Sequence, residues 1–142
     1  MSTKNLGWLL TVFPILGLLS WATAGLPTSP AGEFEGGYAA FAAEIGGNPD
    51  RIHVNMGLAA IAYSILIAAF ISLRGKVAEN GNSVFTALAG VLIVIGYAGT
   101  IAENGAYSAA ASLSSEGLVP EAVSMLTLAT TAGGFGTAIL AL

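Results

Sequence analysis

The sequence predicts an all-α integral membrane protein: a bundle of four transmembrane helices with a short extracytoplasmic cap. Three observations carry that expectation. Of the 142 residues, 55% are hydrophobic and 8% charged, with a mean hydropathy of +0.80, whereas a soluble domain carries roughly 25% charge. The apolar residues gather into four runs of about 20, the length that crosses a hydrocarbon core. Between those runs stand all the prolines but Pro14, the Asn-Gly pairs and most of the acids. The spans are expected at about 6–25, 52–73, 83–102 and 121–142, with outer segments 26–50 and 103–120, in a single membrane domain over 1–142.

The first span, Leu6 to Ala24, ends in small residues in an A-x-A pattern at Ala22-Thr23-Ala24 that a signal peptidase could accept. Its apolar run exceeds the roughly 7 to 15 residues of a signal core, so a retained helix is the reading taken. Trp8 and Trp21 mark its interfacial ends, and Pro14 predicts a kink by removing a backbone hydrogen bond. The segment after Gly25 is a loop with Glu33, Glu35, Glu44 and Asp50. Within it Tyr38, Phe41 and Ile45 recur at helical spacing, which predicts a short amphipathic helix on the membrane surface.

The second span opens at Asn48-Pro49-Asp50, an N-cap, a first-turn proline and an acid that suits the helix dipole. Ala60, Ser64, Ala68 and Ser72 fall four apart and form a strip of small side chains for helix packing. Arg74 and Lys76 follow, and with Lys4 they place the N-terminus in the cytoplasm. The tetrapeptide Ala-Glu-Asn-Gly then occurs at 78–81 and again at 102–105. Asn-Gly tolerates the left-handed backbone that ends helices, so the two copies are expected to end the second and third spans. Glu103 would then lie at the outer interface rather than in mid-membrane. The rival is a helix running on through the Ala-rich stretch to Leu113.

Pro120 opens the fourth span with Glu121 in its first turn. Ala129, Gly133, Thr137 and Ala141 form a second small-residue strip. The chain stops without a polar flank, which fits either a terminal carboxylate at the cytoplasmic interface or continuation into further helices.

Composition also excludes. The net charge is −4, from eight acids and four bases with no basic run, so nucleic acid is not a partner. With no cysteine and one histidine, Cys-ligated zinc, iron–sulfur clusters and multi-histidine metal sites are ruled out, and no motif names a cofactor. No nucleophile, base and acid stand in a catalytic pattern, and no phosphate-cradling loop exists, so the chain is not expected to be an enzyme.

Two polar features remain. His53, the sole histidine, could hold a metal or pigment with Met56 nearby, or simply join helix ends. Counted from the hairpin, it falls level with Glu103, which predicts a His53–Glu103 hydrogen bond with Asn104 and Tyr107 beside it. That group is a structural clasp or a ligand site. Arg51 competes for the same carboxylate, or for Glu44.

The leading functional expectation is a noncatalytic subunit of the cell membrane, in contact with lipid and packed against other membrane subunits or copies of itself. The alternative is a small-solute carrier or ligand- or pigment-binding protein with its site at the outer ends of the second and third spans. The general character is that of accessory subunits in bacterial membrane complexes, a likeness of class and not of motif.

Overall fold

The computed structural model describes residues 2–79 and 83–141. Among them are α1 (Thr3–Thr23), α2 (Gly37–Gly46), α3 (Pro49–Ala78), α4 (Ser83–Ser115) and α5 (Val119–Leu140), and no strand. All but α2 are long and apolar enough to cross a membrane. The protein is an all-α membrane protein.

Local chemistry sets the helix ends. Ser2 accepts a hydrogen bond from the Asn5 amide and caps α1. The helix is continuous through Pro14 and ends before Gly25, whose φ of 80° only glycine adopts cheaply. Asn48 and Pro49 open α3, with Asp50 in its first turn. That helix stops at Ala78, at the first Ala-Glu-Asn-Gly, although Asn80, Gly81 and Asn82 themselves lie outside the described residues, as does Leu142.

The second copy does not stop its helix. α4 runs unbroken through Asn104 and Gly105 to Ser115, so the expected helix end at 102 is corrected. Ala106 to Ala111 propagate the helix, and Gly105 keeps an ordinary negative φ. The real stop is Gly117 at φ 82°. There the Leu118 amide donates to the Leu113 carbonyl at 2.8 Å and the Gly117 amide to the Ser114 carbonyl at 3.0 Å, the paired bonds of a Schellman cap. At 33 residues α4 is roughly 50 Å long, well beyond a hydrocarbon core of about 30 Å.

α2 forms where Tyr38, Phe41 and Ile45 predict it, but its apolar face does not lie on lipid. Phe41, Ala42 and Ile45 are buried against α4, α5 and the start of α3. A surface helix with a protein groove available buries its apolar stripe there first, because close packing adds dispersion contacts to the exclusion of water. α2 thereby closes one end of the molecule, the capped end; the close of α3 and the start of α4 mark the other.

The long helices approach each other in a row. α1 packs on α3, α3 on α4 and α4 on α5, and among the described residues no close backbone approach joins α1 to α4 or α5, or α3 to α5. The core is accordingly divided. One cluster at the capped end gathers Phe41, Ile45, Ile52, Met56, Tyr107 and Leu126, and a second, farther from the cap, gathers Ala59, Tyr63 and Leu66 with Tyr97 and Ile101. Tyr63 and Phe70 both stack on Tyr97, at 5.5 and 6.1 Å between ring centroids.

The two small-residue strips fare differently. On α3 the buried line is Ala59, Ala62, Leu66 and Ala69, while Ser64 and Ala68 are exposed, Ala60 and Ser72 partly so. The predicted strip is therefore not the buried line of α3, and the Ser64 and Ser72 hydroxyls donate to carbonyls of their own helix. On α5, Ala129 and Gly133 are buried as expected, but the line continues through Gly136, leaving Thr137 exposed. An i+4 strip drifts off a straight contact because 3.6 residues make a turn, and alternating steps of three and four hold it.

Gly136 shows why. A Cβ there would lie 2.6 Å from the Gly96 carbonyl oxygen, and one on Gly99 2.9 Å from the Ala132 carbonyl oxygen. Backbone meets backbone along the α4–α5 seam, and only glycine permits it.

Candidate functional site

Four glycines prepare the site. Gly96 and Gly99 of α4 face Gly136 of α5 and draw the two helices together, and Gly133 of α5 leaves room beside them. One turn beyond Gly99 on the same face comes Glu103, whose carboxyl rests directly on Gly133; a Cβ at that position would coincide with it. The missing side chain is what gives the carboxyl room between the helices. No ion pair neutralises Glu103 among the described residues, and no hydrogen bond reaches it from Arg51 or His53.

Asn104 stands at the junction of the two core clusters, three residues after Ile101 of one and three before Tyr107 of the other. It is 1% exposed, and neither its Nδ2 nor its Oδ1 has a hydrogen-bond partner in the protein. It does not even bond back to the carbonyl four residues earlier, the usual refuge of a helical polar side chain. An orphaned buried amide costs about 1–3 kcal/mol, and such groups are few in native proteins. Farther along, Tyr107 is buried against Trp21 and Phe41, at 5.5 and 6.3 Å between centroids. Tyr38 of α2 reaches across to Thr130 of α5, oxygen to oxygen 3.4 Å.

Comparison of the chain with protein-family models, with curated proteins and with solved structures finds no match. The site is therefore argued from its own geometry.

The predicted His53–Glu103 bond is not formed, and this is a correction. His53 is exposed and both its ring nitrogens are engaged: Nδ1 with the Pro49 carbonyl at 2.9 Å, Nε2 with the Ser112 hydroxyl at 3.2 Å. The carbonyl can only accept, so Nδ1 carries a proton, and in the neutral ring Nε2 accepts from Ser112. Two physical reasons displace the partner from 103 to 112. α3 ends at Ala78 and α4 begins at Ser83, so at equal rise per residue a residue 25 before Ala78 lies level with about position 108 of α4. Side chains also tilt toward the N-terminus of their own helix, which for His53 means toward later residues of the antiparallel α4. His53 is thus a clasp between helix ends, with neither nitrogen free for a metal, and among the described residues no cluster of three His, Asp or Glu forms a metal site.

Arg51 pairs with neither Glu103 nor Glu44. Its Nε donates to the Thr23 carbonyl at 2.8 Å, which satisfies a terminal carbonyl of α1 and places a cation at the negative end of that helix. Asn55 completes the join: its Nδ2 donates to the Arg51 carbonyl at 2.9 Å, and its Oδ1 lies 2.9 Å from the Thr23 hydroxyl. Sequence reading missed Asn55, Gly96, Gly99 and Tyr63. The one visible signal was the Gly-x-x-Gly spacing at 96–99, which points to a close approach only once a facing glycine helix is known.

Of the four polar residues singled out, then, Glu103, Asn104 and Tyr107 do gather within the protein on consecutive turns of one helix. His53 stands apart from them.

Proposed function

We propose that this chain is a noncatalytic subunit of the cell membrane that packs sideways against other membrane helices, in a larger complex or with copies of itself. The open row of helices carries the reading. A closed four-helix bundle surrounds a core with every helix packed on two others, whereas here, among the described residues, the backbones of α1 and α5 each approach one long neighbour, and α1 meets α4 through side chains at Trp21 and Tyr107. The most apolar window of α4 is also the least buried of the four. The α3 strip Ala60, Ser64, Ala68 and Ser72 faces outward with its serine hydroxyls already bonded to their own helix, which leaves a shallow surface suited to another helix.

An N-terminus in the cytoplasm accords with charge. Lys4, Arg74 and Lys76 belong to the end opposite the cap, and Glu33, Glu35, Glu44, Asp50, Glu116 and Glu121 to the capped end.

Native mass spectrometry of the protein extracted gently from its own membrane tests the proposal. An assembly with other polypeptides or further copies, lost in Ala68→Leu, is the expected result. A monomer in both wild type and variant would sink it.

A second reading rests on a different observation. The unpaired, fully buried Asn104 beside the unneutralised Glu103 favours a ligand-binding role for the capped half of the molecule.

A further inference from the structure

Arg74 stands four residues before the end of α3, directly after the uncharged run 54–73, where hydrocarbon gives way to headgroups. An arginine at such a boundary ordinarily extends outward to water. Arg74 does the reverse. Its side chain lies across Gly90 of α4, where an added Cβ would sit 2.8 Å from the arginine Cδ and 3.7 Å from its Nε. Gly90 is seven residues into α4 and, at equal rise per residue, level with about position 71 of α3, so the side chain runs back about 4–5 Å toward the middle of the membrane. The tilt of helical side chains toward their own N-terminus starts it in that direction, and the glycine leaves its path open.

The cation is unmatched within the protein. The Arg51 guanidinium has the Thr23 carbonyl, whereas that of Arg74 has no acceptor among the described residues. Two grooves meet at Arg74 and Gly90, one of about 240 Å³ along Ile71, Val91 and Ile95, the other of about 110 Å³ along Phe70, Val77 and Ile93. Arg74 is the only charged residue in either lining, and Ile71, Val91 and Ile95 are exposed. A guanidinium carries five N–H donors, and its planar fork matches the paired oxygens of a phosphate. Both grooves are smaller than the roughly 300–1,000 Å³ of pockets that enclose a ligand, so the occupant lies mostly outside them, in the bilayer. Two apolar grooves meeting at one cation match a phosphate bearing two acyl chains, not a single-chained carboxylate. The charge of the headgroup follows from its surroundings. Lys4, Arg74 and Lys76 stand at this end against Glu79, a positive balance that repels a headgroup with an ammonium of its own.

We propose that Arg74 and the two grooves beside it bind one anionic diacyl phospholipid, its phosphate on the guanidinium and its acyl chains along the apolar side chains of α3 and α4. The site lies at the end opposite the cap, away from Glu103 and Asn104, and stands independently of the ligand-binding reading for the capped half.

The test uses the full chain in an uncharged detergent, stripped of native lipid, with phosphatidylglycerol, phosphatidylcholine or inorganic phosphate added and bound molecules counted by native mass spectrometry. The expected result is one phosphatidylglycerol bound saturably, about tenfold tighter than phosphatidylcholine and undisturbed by an equal concentration of inorganic phosphate. Arg74→Gln should raise the midpoint about tenfold. Lys4→Gln removes the same charge from the same end, but on α1, whose backbone does not approach α4, and should leave the midpoint unchanged. Gly90→Leu displaces the Arg74 side chain, to which the three atoms nearest a Cβ there all belong, and should weaken binding with the charge intact. Equal losses in Arg74→Gln and Lys4→Gln would show a diffuse attraction and overturn the site. Equal binding of the two phospholipids overturns the anionic assignment, and displacement by inorganic phosphate assigns the guanidinium to free phosphate in place of lipid. Phosphatidylglycerol binding that is absent, or that survives Arg74→Gln and Gly90→Leu unchanged, overturns the proposal altogether.

Discussion

The Glu103 carboxyl of α4 rests on Gly133 of α5, in the space that any side chain at 133 would fill. One relationship thus joins a helix seam to an acid without an ion-pair partner among the described residues, and it can be read in both directions. Gly133→Ala should destabilise the protein by about 1–3 kcal/mol, the cost of overpacking a tight contact. Gly134→Ala, with nothing near its Cβ, should be neutral or slightly stabilising. Thermal unfolding in detergent separates them. In a double-mutant cycle, Glu103→Ala should recover most of the loss from Gly133→Ala, and strict additivity would show that the contact is not what matters.

Gly136→Ala should be worse than Gly133→Ala. The obstruction at 136 is the Gly96 carbonyl oxygen, which cannot swing aside as a carboxyl can. We expect loss of more than about 3 kcal/mol or failure to fold, with no rescue by changes at Glu103. Yield and monodispersity by size-exclusion chromatography would reveal it.

Asn104→Leu removes an unpaired buried amide and keeps similar volume, so the variant should melt higher than wild type, by the equivalent of about 1–2 kcal/mol. A fall in melting temperature would instead show that Asn104 has partners that support the fold.

His53→Ala and Ser112→Ala each break one exposed clasp and should cost at most about 1 kcal/mol, nearly non-additively, because each removes the same bond. Neither should alter assembly. A collapse of the complex in His53→Ala would contradict the division between clasp and packing face.

Ala68→Leu fills the outward strip of α3 without touching another helix of this chain. It should leave the melting temperature of the isolated protein within about 0.5 kcal/mol while abolishing association. Crosslinking in native membranes distinguishes this from general misfolding.

Much of the architecture was legible along the chain. Low charge and four long apolar runs dictated an all-α membrane protein, because an unpaired backbone cannot lie in hydrocarbon and a helix pairs its own. Asn48-Pro49-Asp50 marked the start of α3, Pro120 the start of α5, and the Tyr38–Phe41–Ile45 spacing marked α2, since caps and periodicity are local chemistry. Glu103, Asn104 and Tyr107 were visible as polar interruptions of an apolar run.

What stayed hidden depends on neighbours. Asn104-Gly105 has the composition of a helix stop but sits within a continuous helix, since packing with α5 on one side and the capped core on the other outweighs a weak local preference. Whether Glu103 met His53 or Gly133, and whether the α3 strip faced inward or out, turned on rotations of about 100° per residue and on loop heights that no local pattern encodes. Sequence alone determined which segments are helices and that they belong in a membrane; only the tertiary structure decided which faces meet. The reason is physical: hydrogen bonding and water exclusion act residue by residue, while helix contact in an apolar solvent is chosen by the shape of both partners at once.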